Sequence, residues 1–491
     1  MSVESSSLSP GKSTLRRNAI GLPGVLFQSI TTMAPASAVA FSLGAAIPFA
    51  GGALPLAVLI ALLVCSLIAL NIGSMAKYLP SAGGYFTYVG RGLGSQAGWM
   101  TGWLFSLTYL LIVPLQLLVL GPVMDAFAQQ YFHLSFGANG WAVWAMVFAV
   151  IVFGLTYFGV KISADASVIL GAIEITVFVV LAAWLIVTAG NGNTAATFNP
   201  GSSLEKGLGG WQGILHGMIF AFLAFAGFES SAPLAEEAHN PRRIVPRAIF
   251  LAAVSIGIFY VFCSYAGVVG WGFNKISSYP NDPNPWGTLA NRVWGLFAFV
   301  AILAILNSAL ANANAGVNAA SRVLYAMGRT KTLPGPLAHI SSRFRTPDFA
   351  IIFTMIVGVI FTLWPGFVYG TGTAFALLGT IITILILVVY MATCLAVPFF
   401  YRRERPQEFN ALRHVLLPAI PFVVLIFPIL AQFIPAPSPP LNLAGPICAA
   451  WFVLGLVVVI LLSLRAPRAL AQSNKVYLED EPALKEERST K

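Results

Sequence analysis

The chain has 491 residues, of which 58% are hydrophobic and only 9% charged, with a formal net charge of +10. Soluble domains carry about 25% charged residues, so this composition excludes an ordinary soluble globular protein and points to a lipid bilayer as the solvent. The net positive charge alone would allow a nucleic-acid partner, but the placement of the basic residues along the chain excludes that reading.

Residues 1–18 form a polar, Ser-rich tail with Lys12, Arg16 and Arg17 beside the first apolar stretch. They lack the short apolar core and small-residue cleavage site of a secretory signal, so the first span is expected to stay in the mature protein. One membrane helix needs about 20 apolar residues. Twelve such stretches follow, at 21–49, 54–78, 95–126, 139–160, 165–190, 211–237, 246–272, 293–327, 349–369, 372–400, 414–435 and 442–464. They are continuous runs rather than short alternating segments, which favours helices over barrel strands. The membrane domain is expected over 19–465. The charged tail 466–491 is expected to be disordered.

With the N-terminus in the cytoplasm, the outer loops hold Lys206, Lys275 and Arg292, and the other 24 of the 27 Lys and Arg lie inside. This is the positive-inside bias. It supports twelve spans with both termini cytoplasmic, in a plasma membrane of the bacterial inner-membrane type. The loops are short and no soluble domain is present. No GxxxxGK[ST] loop supports direct ATP coupling. The four cysteines sit singly in different spans without metal spacing, so no cofactor or metal is expected. His216 is the only histidine in the interior of a span, and an interhelical hydrogen bond accounts for it as readily as a functional role.

Two spans are interrupted in mid-membrane by small residues and proline. The first breaks at Met33-Ala34-Pro35-Ala36-Ser37, the sixth at Ala226-Gly227-Phe228-Glu229-Ser230-Ser231. Their starts lie five spans apart, so they cross in opposite senses. Broken helices at corresponding positions of two halves point to a transporter site. A break frees carbonyls on one half-helix and N–H groups on the other, and such backbone is tolerated at that depth only where it lines a cavity. A zwitterionic amino acid matches both kinds of end. Glu229 lies at the second break and Glu174 within the fifth span. Ionisable residues in a span are functional candidates by default. Glu229 could gate, or simply cap the half-helix that follows it. Glu174 could be a proton carrier or cation partner, or a neutral acid bonded to a neighbouring helix. In the eighth span Asn307, Asn314 and Asn318 share one helical face. That face is expected either to line the cavity or to pack between helices, with Asn312 pointing elsewhere.

Three segments resemble the amino acid–polyamine–organocation superfamily. PSAGGYFTYVGRGLG at 80–94 is similar to the segment that opens its third helix. GFESSAPLAEEAHNPRRIVPRAI at 227–249 is similar to its sixth helix and following loop. SRVLYAMGRTKTLP at 321–334 is similar to the end of its eighth. The resemblance implies an all-α, twelve-helix fold with the five-plus-five inverted repeat of the leucine transporter. The repeats would fall at about 19–190 and 211–400, with two extra helices at about 413–465. It implies a substrate carboxylate on backbone N–H groups at Ala34, Pro35 and Ala36. It also implies a substrate amine on carbonyls near Thr32, Leu223 and Ala226, beside Gly227. Pro35 has no N–H, which leaves Ala36, Ser37 and Ala38 as donors. Tyr88 and Gly316 match pocket positions, and Glu229 matches the family's gating glutamate. Leu223 stands where some exchangers of charged amino acids have tryptophan, which favours a more apolar or bulkier substrate. Glu174 falls near a lysine of some proton-coupled members. The expected function is secondary transport of an amino acid or amine by alternating access, driven by H+ or by exchange. The alternative on the same fold is a sodium-coupled carrier of another small organic solute. An intramembrane enzyme lacks its catalytic set here (no HExxH, no GxSxG, no paired Asp), and a channel lacks a repeated filter or charged ring.

Overall fold

The computed structural model describes residues 20–79, 84–159, 164–232, 234, 238–329, 332–344, 346–465 and 470. The expected tails 1–18 and 466–491 lie outside these residues apart from Leu470. So do 80–83, 233, 235–237, 330 and 331 of the resemblance segments.

The described residues are mainly helical, with one isolated parallel bridge between Ile20 and Ala238. The first span is built in pieces. Helix α1 (Leu22–Met33) ends at Ala34, whose φ of 48° is left-handed. A single turn, α2 (Pro35–Ser37), then leads through a π-helical stretch (Ala38–Ser42) into α3 (Leu43–Ala50). The chain reverses at Gly51 (φ 51°) and returns as α4 (Leu54–Tyr78). The whole apolar stretch Leu22–Tyr78 is 57 residues long. At 1.5 Å per residue it is far longer than one crossing of a bilayer about 30 Å thick, and the reversal makes it two. Among the described residues ten further helical stretches are long and apolar enough to span, which gives twelve crossings there.

A short helix, α5 (Tyr85–Leu93), precedes the third crossing, α6 (Ser95–Phe132). The segment expected to open the third helix is therefore partly a separate helix, parted from α6 by Gly94 at φ 102°. Next come α7 (Gly140–Tyr157), α8 (Ala164–Ala189) and α9 (Trp211–Phe225). The sixth crossing, expected over 211–237 with a break at 226–231, is an α-helix up to Phe225. Beyond it the described residues follow consecutive turns with i to i+3 bonds, such as Ser230 N to Gly227 O at 2.9 Å. Gly227, at φ 111°, diverts the chain there. The remaining elements are α10 (Pro241–Trp271), α11 (Pro285–Trp294), α12 (Phe299–Arg329), α13 (Asp348–Tyr369), α14 (Thr371–Glu404), α15 (Leu417–Leu430) and α16 (Ala444–Arg465).

The interior is a bundle in which α4 lies along α10, α6 along α12 and α14, and α3 against α9. Helix α16 flanks this bundle, packing on α6 and α14, and exposes Leu454, Val457, Ile460 and Leu464. An apolar outward face of this kind suits lipid rather than water. One end of the bundle is tied by the Arg91–Glu404 ion pair (2.6 Å) and by the Tyr78–Glu408 hydrogen bond. At the other end the Phe49 carbonyl accepts from the N–H groups of Leu204 and Glu205. His216 bridges there between Glu205 (2.6 Å) and the Ala431 carbonyl (2.8 Å), the second contact being an interhelical bond.

Candidate functional site

The two breaks touch. A Cβ on Gly227 would lie 2.8 Å from Thr32 Cγ2, so only glycine fits where the sixth crossing passes the first. The Ser230 hydroxyl donates to the Thr32 hydroxyl at 2.9 Å, and Thr32 in turn donates to the Gln28 carbonyl at 2.8 Å. The Ser231 N–H donates to Ser29 Oγ at 3.1 Å.

Backbone accounting explains what the breaks offer. The Phe228 N–H bonds to Phe225 O at 3.3 Å instead of continuing the α-pattern to Ala224 O. Ala224 O and Met33 O each lie 2.9 Å from the Tyr260 hydroxyl on α10. A phenol has one proton, so it serves one of these carbonyls at a time. The Gly227 N–H turns to the Glu229 carboxylate at 3.2 Å, and Leu223 O takes only a 3.2 Å bond from the Ala226 N–H. No described N–H bonds to the Ala226 carbonyl. At the first break, Ala34 O accepts from the Ala38 N–H at 2.8 Å. Ala38 is thus not a free donor, and Ala36 and Ser37 carry the first N–H groups of the resumed helix.

Beside the breaks lies a cavity with about 560 Å³ of atom-free space, counted out to its mouth. Thr32, Ala34, Leu223, Ala226, Gly227 and Glu229 line it, together with Met33, Ala38 and Ser42. Pro35, Ala36 and Ser37 are buried behind this wall; Ser37 reaches it indirectly, through a 3.2 Å hydrogen bond to Gln116. Tyr88 is not at the wall. It sits on α5 against Tyr85, whose ring is 5.8 Å from that of Tyr390. Gly316 also lies behind the wall, where a Cβ would come within 2.6 Å of Ile112 Cγ2, and Ile112 does line the cavity.

Glu229 is 3% exposed and accepts from the Tyr390 hydroxyl at 3.2 Å as well as from Gly227. Glu174 is also 3% exposed but lies away from the cavity, where it accepts from Asn307 (3.1 Å) and Ser308 (3.3 Å). Among the described residues neither carboxyl has a basic partner within ion-pair distance.

Of the two expectations for the asparagine face of α12, a cavity wall or packing between helices, the contacts match the second. Asn307 turns to Glu174 on α8, and Asn314 to Thr156 on α7 at 3.0 Å. It is Asn312 that lines the cavity. Sequence reasoning had Asn312 pointing elsewhere. Residues of α6 also escaped sequence reasoning: Tyr109, Ile112 and Gln116 line the cavity at i, i+3 and i+7. A tyrosine and a glutamine on one face of an apolar span were a legible signal. Ile382 and Ile386 on α14 gave none, being two isoleucines among many.

The sequence matches the family model described as amino acid permease over residues 24–466. The chain belongs to the amino acid permease family. This permease is 26% identical over 340 residues to the low-affinity putrescine importer PlaP of Escherichia coli K12, covering 67% of this chain and 71% of that one. It is 26% identical over 400 residues to the branched-chain amino acid permease BcaP of Lactococcus lactis, covering 77% and 82%. Among solved structures the permease superposes on the Eremococcus coleocola manganese transporter with a TM-score of 0.54 at 12% identity, covering 91% and 95% of the two chains. At that identity the likeness is one of fold.

Proposed function

We propose that this permease is a secondary active carrier of a small amino acid or amine, working by alternating access in a plasma membrane with both termini cytoplasmic. One observation carries the reading. Two broken crossings meet beside a mainly aliphatic cavity whose wall holds a single carboxyl, Glu229, with no basic partner among the described residues. A substrate ammonium supplies the missing positive charge, with the Ala226 carbonyl as a further acceptor. The positive end of the resumed first helix favours a substrate anion near Ala34–Ser37. Leu115, Leu223, Ile112, Ile382 and Ile386 suit an uncharged aliphatic body.

Glu174 is the residue we assign to proton coupling. It joins α8 to α12 through Asn307 and Ser308, outside the substrate cavity. Proton uptake there changes what those two side chains can donate to, and so biases helix packing without touching the substrate. PlaP, named as a putrescine importer, and BcaP, named for branched-chain amino acids, bracket the substrate class.

The test is a thermal-stability screen of purified protein against amino acids and polyamines, since a bound ligand raises apparent stability by mass action. Uptake into proteoliposomes under proton or sodium gradients follows. Saturable uptake of a stabilising amino acid, enhanced by an inward proton gradient, is expected. Absence of both stabilisation and saturable uptake across the panel refutes the proposal, and a response to sodium alone refutes proton coupling.

A further inference from the structure

His216 stands near the outer end of α9, and both nitrogens of its buried ring face acceptors. Nε2 lies 2.8 Å from the Ala431 carbonyl at the end of α15, so it carries a hydrogen. Nδ1 lies 2.6 Å from a carboxylate oxygen of Glu205. Two lone pairs cannot meet at that distance, so a second proton sits between them. The contact therefore exists only in its protonated form. Glu205 is 30% exposed, which gives that proton a route to water. Among the described residues it is the only charged group facing the ring. Helices α3 and α15 carry none, nor does 200–210 apart from Lys206, which donates to the Gly201 carbonyl at 2.7 Å. Helices α4 and α14 carry Lys77, Arg402, Arg403 and Glu404 at the opposite end of the bundle, where the Tyr401 hydroxyl donates to the Ser74 carbonyl. Tyr390 is engaged with Glu229 at the break.

What the proton holds together is the outer half of the two broken crossings. A Cβ on Gly213 would lie 2.5 Å from the Phe49 carbonyl and one on Gly217 2.8 Å from Ala50 Cβ, so α9 and α3 pack backbone to backbone. The Phe49 ring lies 5.6 Å from His216 and 5.8 Å from Phe220. The two half-helices thus form one unit. Its links at this end run from the Phe49 carbonyl to the Leu204 and Glu205 N–H groups, and from His216 to Glu205 and Ala431. Hydrogen bonds from an ionised donor are about twice as strong as neutral ones, so one proton tightens both His216 links. Its loss sets the Nδ1 lone pair against the carboxylate and drives Glu205 into water. We infer that Glu205 and His216 form a proton-binding site open to the outer solution, whose proton latches the α3–α9 unit to 200–210 and α15. An acidic exterior keeps the latch shut and an alkaline one releases it. The site is separate from the substrate cavity and from Glu174, and rests on the transport reading only for which side is outer.

Purified full-length protein is melted by scanning fluorimetry from about pH 5 to about pH 9, a range that spans histidine titration. Glu205→Gln offers Nδ1 either an N–H or an oxygen, so its bond persists whether or not the ring is protonated. Wild type should melt at or above Glu205→Gln at the acid end and about 1–3 °C below it at the alkaline end, the loss of one buried bond in a chain of this length. His216→Gln has no ring to titrate. Its deficit against wild type should be largest at the acid end and shrink as the pH rises, which keeps the site testable if Glu205→Gln misfolds. Curves that keep a constant offset from wild type overturn the inference. Cys263 reads the opening, because it is buried on α10 beside Leu43 and Ile47 of α3 and is uncovered when the α3–α9 unit moves. With Cys65, Cys394 and Cys448 replaced by alanine, right-side-out vesicles are treated with a membrane-impermeant maleimide. At alkaline outer pH Cys263 should react about five-fold faster with the native latch than with Glu205→Gln, the population shift that one hydrogen bond supports; the comparison cancels the general rise in thiolate. Equal rates refute the latch, and a response to inner pH alone overturns its outer placement. The melting curves need no substrate, so failure of the transport proposal leaves this test intact.

Discussion

Tyr260→Phe isolates the hydroxyl that ties the two broken crossings together. Phenylalanine keeps the edge-to-face contact with Phe225, whose ring lies 5.4 Å away, and leaves no cavity. What is lost is one proton serving two buried carbonyls, Met33 O and Ala224 O, each at 2.9 Å. One proton makes one bond at a time, so the loss is that of a single bond with its acceptor left unpaired, about 1–3 kcal/mol. An unfolding entropy of about 2.1 cal/mol/K per residue over 491 residues is about 1 kcal/mol/K. The apparent melting temperature should therefore fall by about 1–3 °C. Differential scanning fluorimetry in detergent at a fixed scan rate reads this. The control is Tyr265→Phe, which removes an exposed 3.1 Å bond to Asn193 on the same helix and should shift it by less than about 1 °C. Tyr260→Phe should also slow substrate counterflow, since the relative position of the two breaks is no longer fixed. A Tyr260→Phe protein that melts with wild type, or no lower than the Tyr265→Phe control, refutes the view that this hydroxyl holds the site together.

Glu229→Gln keeps an oxygen for the Tyr390 hydroxyl and the Gly227 N–H while removing the charge; uptake should fall at least ten-fold with the melting temperature within about 2 °C of wild type, and wild-type uptake would remove Glu229 from the mechanism. Glu174→Gln keeps one oxygen to accept from Asn307 and puts an NH2 group beside the Ser308 hydroxyl, which can then accept instead of donate, so the fold should persist while uptake loses its response to an inward proton gradient; an unchanged response would dismiss it from coupling. Gly227→Ala places a methyl 2.8 Å from Thr32 Cγ2 at a φ of 111°. Backbone strain of about 1–3 kcal/mol and overpacking of about 1–3 kcal/mol should lower yield and melting temperature together, as read by size-exclusion chromatography and fluorimetry.

Much of this architecture was legible because a bilayer enforces simple rules. A span must be apolar and about 20 residues long, so its runs stand out in the sequence. A break must line something, so Ala34-Pro35 and Ala226-Gly227 stood out as well. Side-chain direction was harder to read. The stripe of Asn307, Asn314 and Asn318 was correctly placed on one face. Periodicity says which residues share a face but not which neighbour that face meets, and here it meets α7 and α8. That the sixth crossing breaks after Phe225 was legible from Ala226-Gly227, but not that the chain beyond the left-handed Gly227 runs on in consecutive turns. The aliphatic wall from α14 could not be singled out, since Ile382 and Ile386 look like any lipid-facing or packed isoleucine.

The corner at Ala34 has a consequence of its own. Alanine in the left-handed basin costs about 1–2 kcal/mol, and glycine would remove that cost while loosening the chain. Here the residue is buried and clamped on both sides, by its own N–H to Thr31 O at 3.1 Å and by the Ala38 N–H to its carbonyl at 2.8 Å. The bend is thus a fixed elbow rather than a swivel. Its two arms must travel together, and whatever opens the passage to either side of the membrane has to flex somewhere other than the point where the cargo rests.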